Sequence, residues 1–271
     1  AKEIIENLQT YLRKFRNGIH IIKANYYLAD VYYKLKDFKK AKIYYQFLTD
    51  KEISDFTEDS LNKLAQIYLQ ENDFNSALPL LDRLEQQAYI AENILFAQSN
   101  LMQGYYESKA YDFAIEYAKK LLQKDKLQLQ VANDAKIIIA RSAIATKDFY
   151  TAEDFYTQIE TTANGVLKAE ALYYNAYFKN QQQAYEASNK VIQNLIANFS
   201  SYKYWSVKSY VIMGKNYAGL NDVYQANFVL ENIIKNFKEF EDITKEAQLE
   251  LEKIKEKQAK TNNSINSEKK N

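Results

Sequence analysis

The stretch LADVYYKLKDFKKAKIYYQFL, from Leu28 to Leu48, carries a small residue at Ala29, an aromatic at Tyr32, the pair Asp37-Phe38, a second small residue at Ala41 and an aromatic at Tyr45. Leu64 to Leu84, LAQIYLQENDFNSALPLLDRL, repeats the pattern at the same offsets with Ala65, Tyr68, Asp73-Phe74, Ala77 and Leu81. From Leu101 to Leu121 the slots hold Met102, Tyr105, Tyr111 and Ala114. From Ile139 to Ile159 they hold Ala140, Asp148-Phe149, Ala152 and Tyr156. From Met213 to Ile233 they hold Gly214, Tyr217, Asn221-Asp222, Ala226 and Leu230. A weaker copy surrounds Asn175, with Ala187 and Val191, and with glutamines where the turn should be. The first position, Ala or Gly in four of the units, recurs at 29, 65, 102, 140, about 175 and 214, in steps of 35 to 39 residues. A near-constant period of this length marks a stacked repeat.

Within each unit apolar residues recur at three and four, in two runs separated by a short turn carrying Asn, Asp or Lys. That is the pattern of two amphipathic helices. Small residues on both let the helices approach closely, and the tyrosines and phenylalanines between them fill the space toward the next pair. The expected fold is therefore all-α, a right-handed α-solenoid of antiparallel helix hairpins, with repeats near 21–50, 57–88, 93–125, 131–162, 166–199 and 203–237.

Composition removes most other classes. The 271 residues include no cysteine, one histidine (His20), five glycines and one proline. Without Cys there is no disulfide, thiolate metal site or Cys nucleophile, and one His supports neither a His-based zinc site nor a Ser-His-Asp triad. Scarce Gly and Pro leave little material for hairpin-rich β folds or phosphate-cradling loops. Lys plus Arg number 36 against 35 acidic residues. That balance gives no broad attraction to nucleic acid or anionic membrane. No apolar run reaches about 18 residues, so no membrane insertion is expected. Carboxylate pairs such as Glu58/Asp59, Asp82/Glu85 and Glu153/Asp154 sit on polar helix faces, where charge runs are ordinary, so no enzyme, metal or cofactor is expected.

The spacing of small residue, Tyr, Asp-Phe/Tyr, Ala and Tyr resembles the tetratricopeptide repeat over most of the chain, although the period is slightly longer and the closing proline is absent. The only proline, Pro79, lies inside a second helix. The motifs YLRKF (Tyr11 to Phe15) and LIANF (Leu195 to Phe199) are similar to ends of second helices in bacterial envelope members, which implies a periplasmic or envelope location over a cytoplasmic one. The resemblance implies a non-catalytic protein-protein interaction scaffold whose concave face is lined by first helices. Residues three before and one and four after each small marker then form the groove: Tyr26, Asp30 and Tyr33; Asn62, Gln66 and Leu69; Ser99, Gln103 and Tyr106; Ile137, Arg141 and Ile144; Val211, Lys215 and Ala218. The partner would be a protein or peptide segment, with Asp30 at one end of the groove and Arg141 and Lys215 at the other. Some members hold a C-terminal carboxylate with a clamp of cations. The matching positions here are Lys23, Tyr26, Tyr27 and Asp30, and Asp30 would repel a carboxylate. An RNA-reading helical repeat needs a regular base-reading pair in each unit. Tyr26, Asn62, Ser99, Ile137 and Val211 form no such code.

Both ends depart from the period. Aligning Ala1 with Ala41 sets Ile5 on Tyr45 and Leu8 on Leu48, so residues 1–17 are expected to be an orphan second helix of a truncated repeat. A solenoid helix without its partner exposes an apolar stripe, which points to a longer repeat protein or to a homo-oligomer formed through this helix. From Asp242, Ile243, Ala247, Leu251 and Ile254 share one face, giving a capping helix over 242–258 that completes a single solenoid, 1–258. Residues 259–271 read as a disordered polar tail.

Overall fold

The computed structural model describes residues 1–268, with side chains through residue 260. The described residues form fourteen helices and no strand. The first half holds α1 (Lys2–Lys14), α2 (Ile21–Lys34), α3 (Phe38–Thr49), α4 (Thr57–Gln70), α5 (Phe74–Gln87), α6 (Ala91–Glu107) and α7 (Tyr111–Leu122). The second holds α8 (Leu129–Thr146), α9 (Phe149–Thr162), α10 (Gly165–Gln181), α11 (Tyr185–Phe199), α12 (Lys203–Gly219), α13 (Val223–Asn236) and α14 (Glu241–Glu268). The chain divides into two compact units, Ala1–Ile138 and the residues from Ile139 on. In the first, α2 packs on α3, α4 on α5 and α6 on α7; in the second, α10 packs on α11 and α12 on α13.

Each hairpin closes in the same way. A residue with left-handed backbone, φ between 57° and 63°, stands at Lys36, Asn72, Lys109, Lys147, Gln183 and Asn221. The next amide reaches back to a carbonyl five residues earlier, as in Asp37 N–H to Tyr32 O at 2.9 Å and Asp222 N–H to Tyr217 O at 2.8 Å. This is a Schellman-type stop. The residue after the stop caps the following helix. Asp37, Asp73, Asp148 and Asp222 accept from the backbone N–H of Lys40, Ser76, Thr151 and Gln225. One short turn thus ends one helix and starts the next. In the other two hairpins the capping slot holds Ala110 and Ala184, which make no side-chain cap. Ala110→Asp and Ala184→Asp should each add about 1 kcal/mol, and a thermal melt should register each as a rise of roughly 2–4 °C.

The turn positions also fix the register of the weak fifth repeat. The left-handed residue lies seven after the small marker in every other unit, so Gln183 assigns the marker to Ala176 rather than Asn175. Burial agrees: Ala176, Ser188, Ile192 and Leu195 are fully buried, whereas Ala187 is exposed. The expected register was off by one residue because a polar residue, Asn175, precedes the marker where the other units carry Leu, Ile or Met. With that correction a further small column emerges five residues before each marker, at Ala24, Ser60, Ala97, Ala135, Ala171 and Ser209, all buried. At Gly214 the paired helices α12 and α13 approach closely; a Cβ there would lie 2.8 Å from Leu230 Cγ.

The second unit carries a polar seam inside this apolar frame. Asn216, fully buried, donates to Ser188 Oγ and Asn189 Oδ1 at 2.8 Å each and accepts from Asn180 Nδ2 at 2.7 Å. Ser188 in turn donates to the Ala176 carbonyl at 2.7 Å.

At the end of the chain α14 continues the first-helix pattern. Ala247 is buried in the small column, with Ile243 and Leu251 beside it. Where the marker should follow, the chain has exposed Glu252, so the outward face is solvated. α14 runs through Glu268, past the expected end at 258 and into the stretch read as a tail, because no Gly or Pro stops it. Of that tail, residues 269–271 lie outside the described residues.

Candidate functional site

In the first unit the expected groove residues meet one another across successive first helices. Tyr26 donates to Asp59 Oδ2 at 2.8 Å, and Tyr33 donates to Gln66 Oε1 at 2.8 Å. Lys63 lies between Asp30 and Asp59, at 2.9 Å from each, and Lys34 pairs with the other oxygen of Asp30 at 2.6 Å. Gln66 donates to Asn62, and Asn62 to Asn93. Asn93 passes the chain to Glu58 at 2.7 Å, and Glu58 also accepts the backbone N–H groups of Tyr89 and Ile90. The result is a hydrogen-bonded ladder over α2, α4 and α6, built from residues about one repeat apart.

Its electrostatics follow from partial burial. Burial pushes Tyr26 up to about 12, and donation to the Asp59 carboxylate adds to the effect. For Asp30 burial acts upward, yet the hydrogen bonds from Lys34 and Lys63 outweigh it and hold the carboxyl below its ordinary 3.8. A folded-state value below the unfolded one means that this stabilisation is present above pH 3.8 and is lost as pH falls through the folded value. Lys63→Met should therefore be less stable than the native chain near pH 7. The gap should narrow as urea unfolding is repeated below pH 3.8.

Ser99, Gln103 and Tyr106 extend the same helix face on α6. Ser99 and Tyr106 are half-buried, and Tyr106 lies against Tyr111 with ring centroids 6.0 Å apart. Gln103 is exposed and donates to Glu107 at 2.7 Å, four residues along its own helix.

In the second unit Arg141 donates through Nε (2.9 Å) and Nη2 (2.6 Å) to the two oxygens of Glu170. The Glu170 side chain is only 3% exposed, and it also accepts from Tyr156 at 2.9 Å. Lys215 bridges to Glu246 at 2.8 Å and lies 3.7 Å from Glu250. Both cations thus hold the first helix of the following repeat. Ile137 and Val211, expected in the groove, are 4% and 1% exposed and belong to the core. The corrected fifth register adds Tyr173, Tyr177 and Asn180 to the groove slots, which the sequence reading missed. Tyr173 is 6% exposed and packs on Trp205 at 5.4 Å; Tyr177 and Asn180 are half-buried.

Among the described residues no group of three or more His, Cys, Asp and Glu side chains is arranged to hold a metal ion. No described helix is long and apolar enough to cross a membrane.

No protein-family profile and no curated protein matches the chain. Among solved structures it is similar to a tetratricopeptide repeat protein from Parabacteroides merdae, at 14% identity and TM-score 0.44, over 90% of this chain and 91% of the other. It is also similar to Rap protein complexed with competence and sporulation factor, at 12% identity and TM-score 0.42, over 96% and 80%. On its own hairpins, turns and small-residue columns the chain is an all-helical repeat protein of the tetratricopeptide-like fold.

Proposed function

We propose that the chain is a non-catalytic scaffold that binds a protein segment along the first-helix face of its N-terminal unit. The observation carrying this reading is the ladder from Tyr26 to Glu58. Its amides, carboxylates and phenols are held in one arrangement before any partner arrives, which lowers the ordering cost of binding. Gln66 and Asn62 each retain an N–H and lone pairs beyond the bonds they make within the ladder, groups suited to an extended backbone. A second reading, in which the ladder only locks successive repeats together, is favoured by how fully its members pair with one another.

The test uses the open end of the face, where substitution leaves the ladder intact. Immobilised native chain and a Ser99→Ala, Gln103→Ala variant are compared in capture from the source lysate, with circular dichroism confirming equal helicity. A partner held by the native chain and lost by the variant supports the scaffold reading. Equal capture by both, or none, favours the locking role. Arg141 is unsuitable as a probe, because its loss would strand buried Glu170.

A further inference from the structure

An asparagine followed by glycine stands at two places in the chain, Asn17-Gly18 and Asn164-Gly165. Glycine has no Cβ to hinder its own nitrogen, so in such a pair that nitrogen can attack the asparagine side chain. The surroundings of the two pairs differ. The Gly18 N–H donates to the Phe15 carbonyl at 3.1 Å, and a Cβ on Gly18 would lie 2.5 Å from Tyr11 Oη. The nitrogen there is engaged and the turn is packed. Asn164 is exposed, with extended backbone at φ −125° and ψ 175°, and its side chain makes no cap on α10. The Gly165 N–H is the first of α10, where an amide has no acceptor within the helix, and among the described residues it makes no turn bond either. Gly165 itself has φ 63°. Apart from its chain neighbours, only the Tyr202 phenol lies within 4 Å of the point where a Cβ would stand.

We infer that Asn164 is a self-modifying site. Rotation about its Cα–C bond, which no hydrogen bond of the side chain opposes, brings Cγ over the Gly165 nitrogen. A Gly165 N–Cγ bond forms and closes a five-membered imide, the Cγ–Nδ2 bond breaks, and Nδ2 leaves as ammonia with the proton from Gly165. Water then opens the imide at either carbonyl, giving aspartate or isoaspartate. The product carries a carboxylate at the head of α10, where the positive end of the helix favours it. The formal net charge of the chain passes from +1 to zero. The isoaspartate form also adds a main-chain carbon to the two-residue link, Ala163 and Asn164, that joins α9 to α10. The conversion needs no second protein, so it records the age of the folded chain. This inference does not depend on the scaffold reading.

The test incubates the 271-residue chain at neutral pH and physiological temperature over weeks, with a parallel sample in guanidinium. Trypsin then releases residues 17–23, between Arg16 and Lys23, and residues 148–168, between Lys147 and Lys168, for mass spectrometry. In the folded chain the 148–168 fragment should convert at least about fivefold faster than 17–23, the factor equivalent to one backbone hydrogen bond. In guanidinium the two should convert alike. Ion exchange should resolve a species one charge more acidic. Asn17→Gln should keep that species and Asn164→Gln should lose it, since glutamine must close a larger ring; circular dichroism confirms equal helicity. An unchanged 148–168 fragment, equal conversion of both fragments in the folded chain, or an acidic species that persists in Asn164→Gln would overturn the inference.

Discussion

Arg141→Ala is expected to lower the unfolding free energy by about 3 kcal/mol, the lower end of the cost of breaking a buried ion pair. The loss comes less from the arginine, whose side chain is 37% exposed, than from the partner it leaves behind. Glu170 would keep its Tyr156 bond but lose both guanidinium contacts at a site almost closed to water. Urea unfolding followed by circular dichroism measures the effect. Two further variants separate charge from packing. Glu170→Gln, which leaves no buried carboxylate, should cost less than Arg141→Ala. Arg141→Met combined with Glu170→Met should recover part of the loss, since replacing both members of a buried pair by apolar groups is often close to neutral, less the cost of leaving the buried Tyr156 hydroxyl without its acceptor. An Arg141→Ala variant within about 0.5 kcal/mol of native, the range of ordinary surface substitutions, would show that water reaches Glu170 freely.

Asn216→Ala carries the other large effect, again about 3 kcal/mol, built from hydrogen-bond groups left unsatisfied at roughly 1–3 kcal/mol each. Asn216 is the hub of the seam that joins α10, α11 and α12. Removing its amide strands the Asn180 donor and the Asn189 acceptor and opens a cavity beside Ser188. Asn216→Asp discriminates the mechanism. It preserves volume and the acceptor for Asn180 but sets a carboxylate against Asn189 Oδ1, so it should be at least as damaging as Asn216→Ala. If Asn216→Asp proved harmless, the seam would be hydrated rather than dry.

The repeat was legible because its cause is steric and local. Close helix packing favours Ala, Gly or Ser at fixed offsets, and those residues stand in the sequence as a countable column, with Met102 the one exception among the markers. The turns were legible where Asp serves as cap, as at Asp37 and Asp148. They were opaque at Gln183 and Ala184, where neither residue type declares a left-handed stop or a cap, and the fifth register slipped for that reason. The site was less legible. Arg141 and Lys215 read as free groove cations because each partner lies in the next repeat and is identified only once the helices are stacked. The ladder was hidden in the same way: Tyr33 and Gln66 were each assigned to the groove, and their bond to each other is a property of the stacking. Exposure along a first helix depends on its neighbours, which is why Ile137 and Val211 moved from groove to core.

The cross-repeat bonds described above reach from 14 positions, at Tyr156 and Glu170, to 36, at Asn180 and Asn216. These bonds join adjacent repeats, so within each unit a tensile load meets one hairpin after the next. Under force spectroscopy the chain should lengthen in successive small releases, as nearest-neighbour coupling dictates. The hairpins bound by Glu170 and Asn216 should yield at the higher forces.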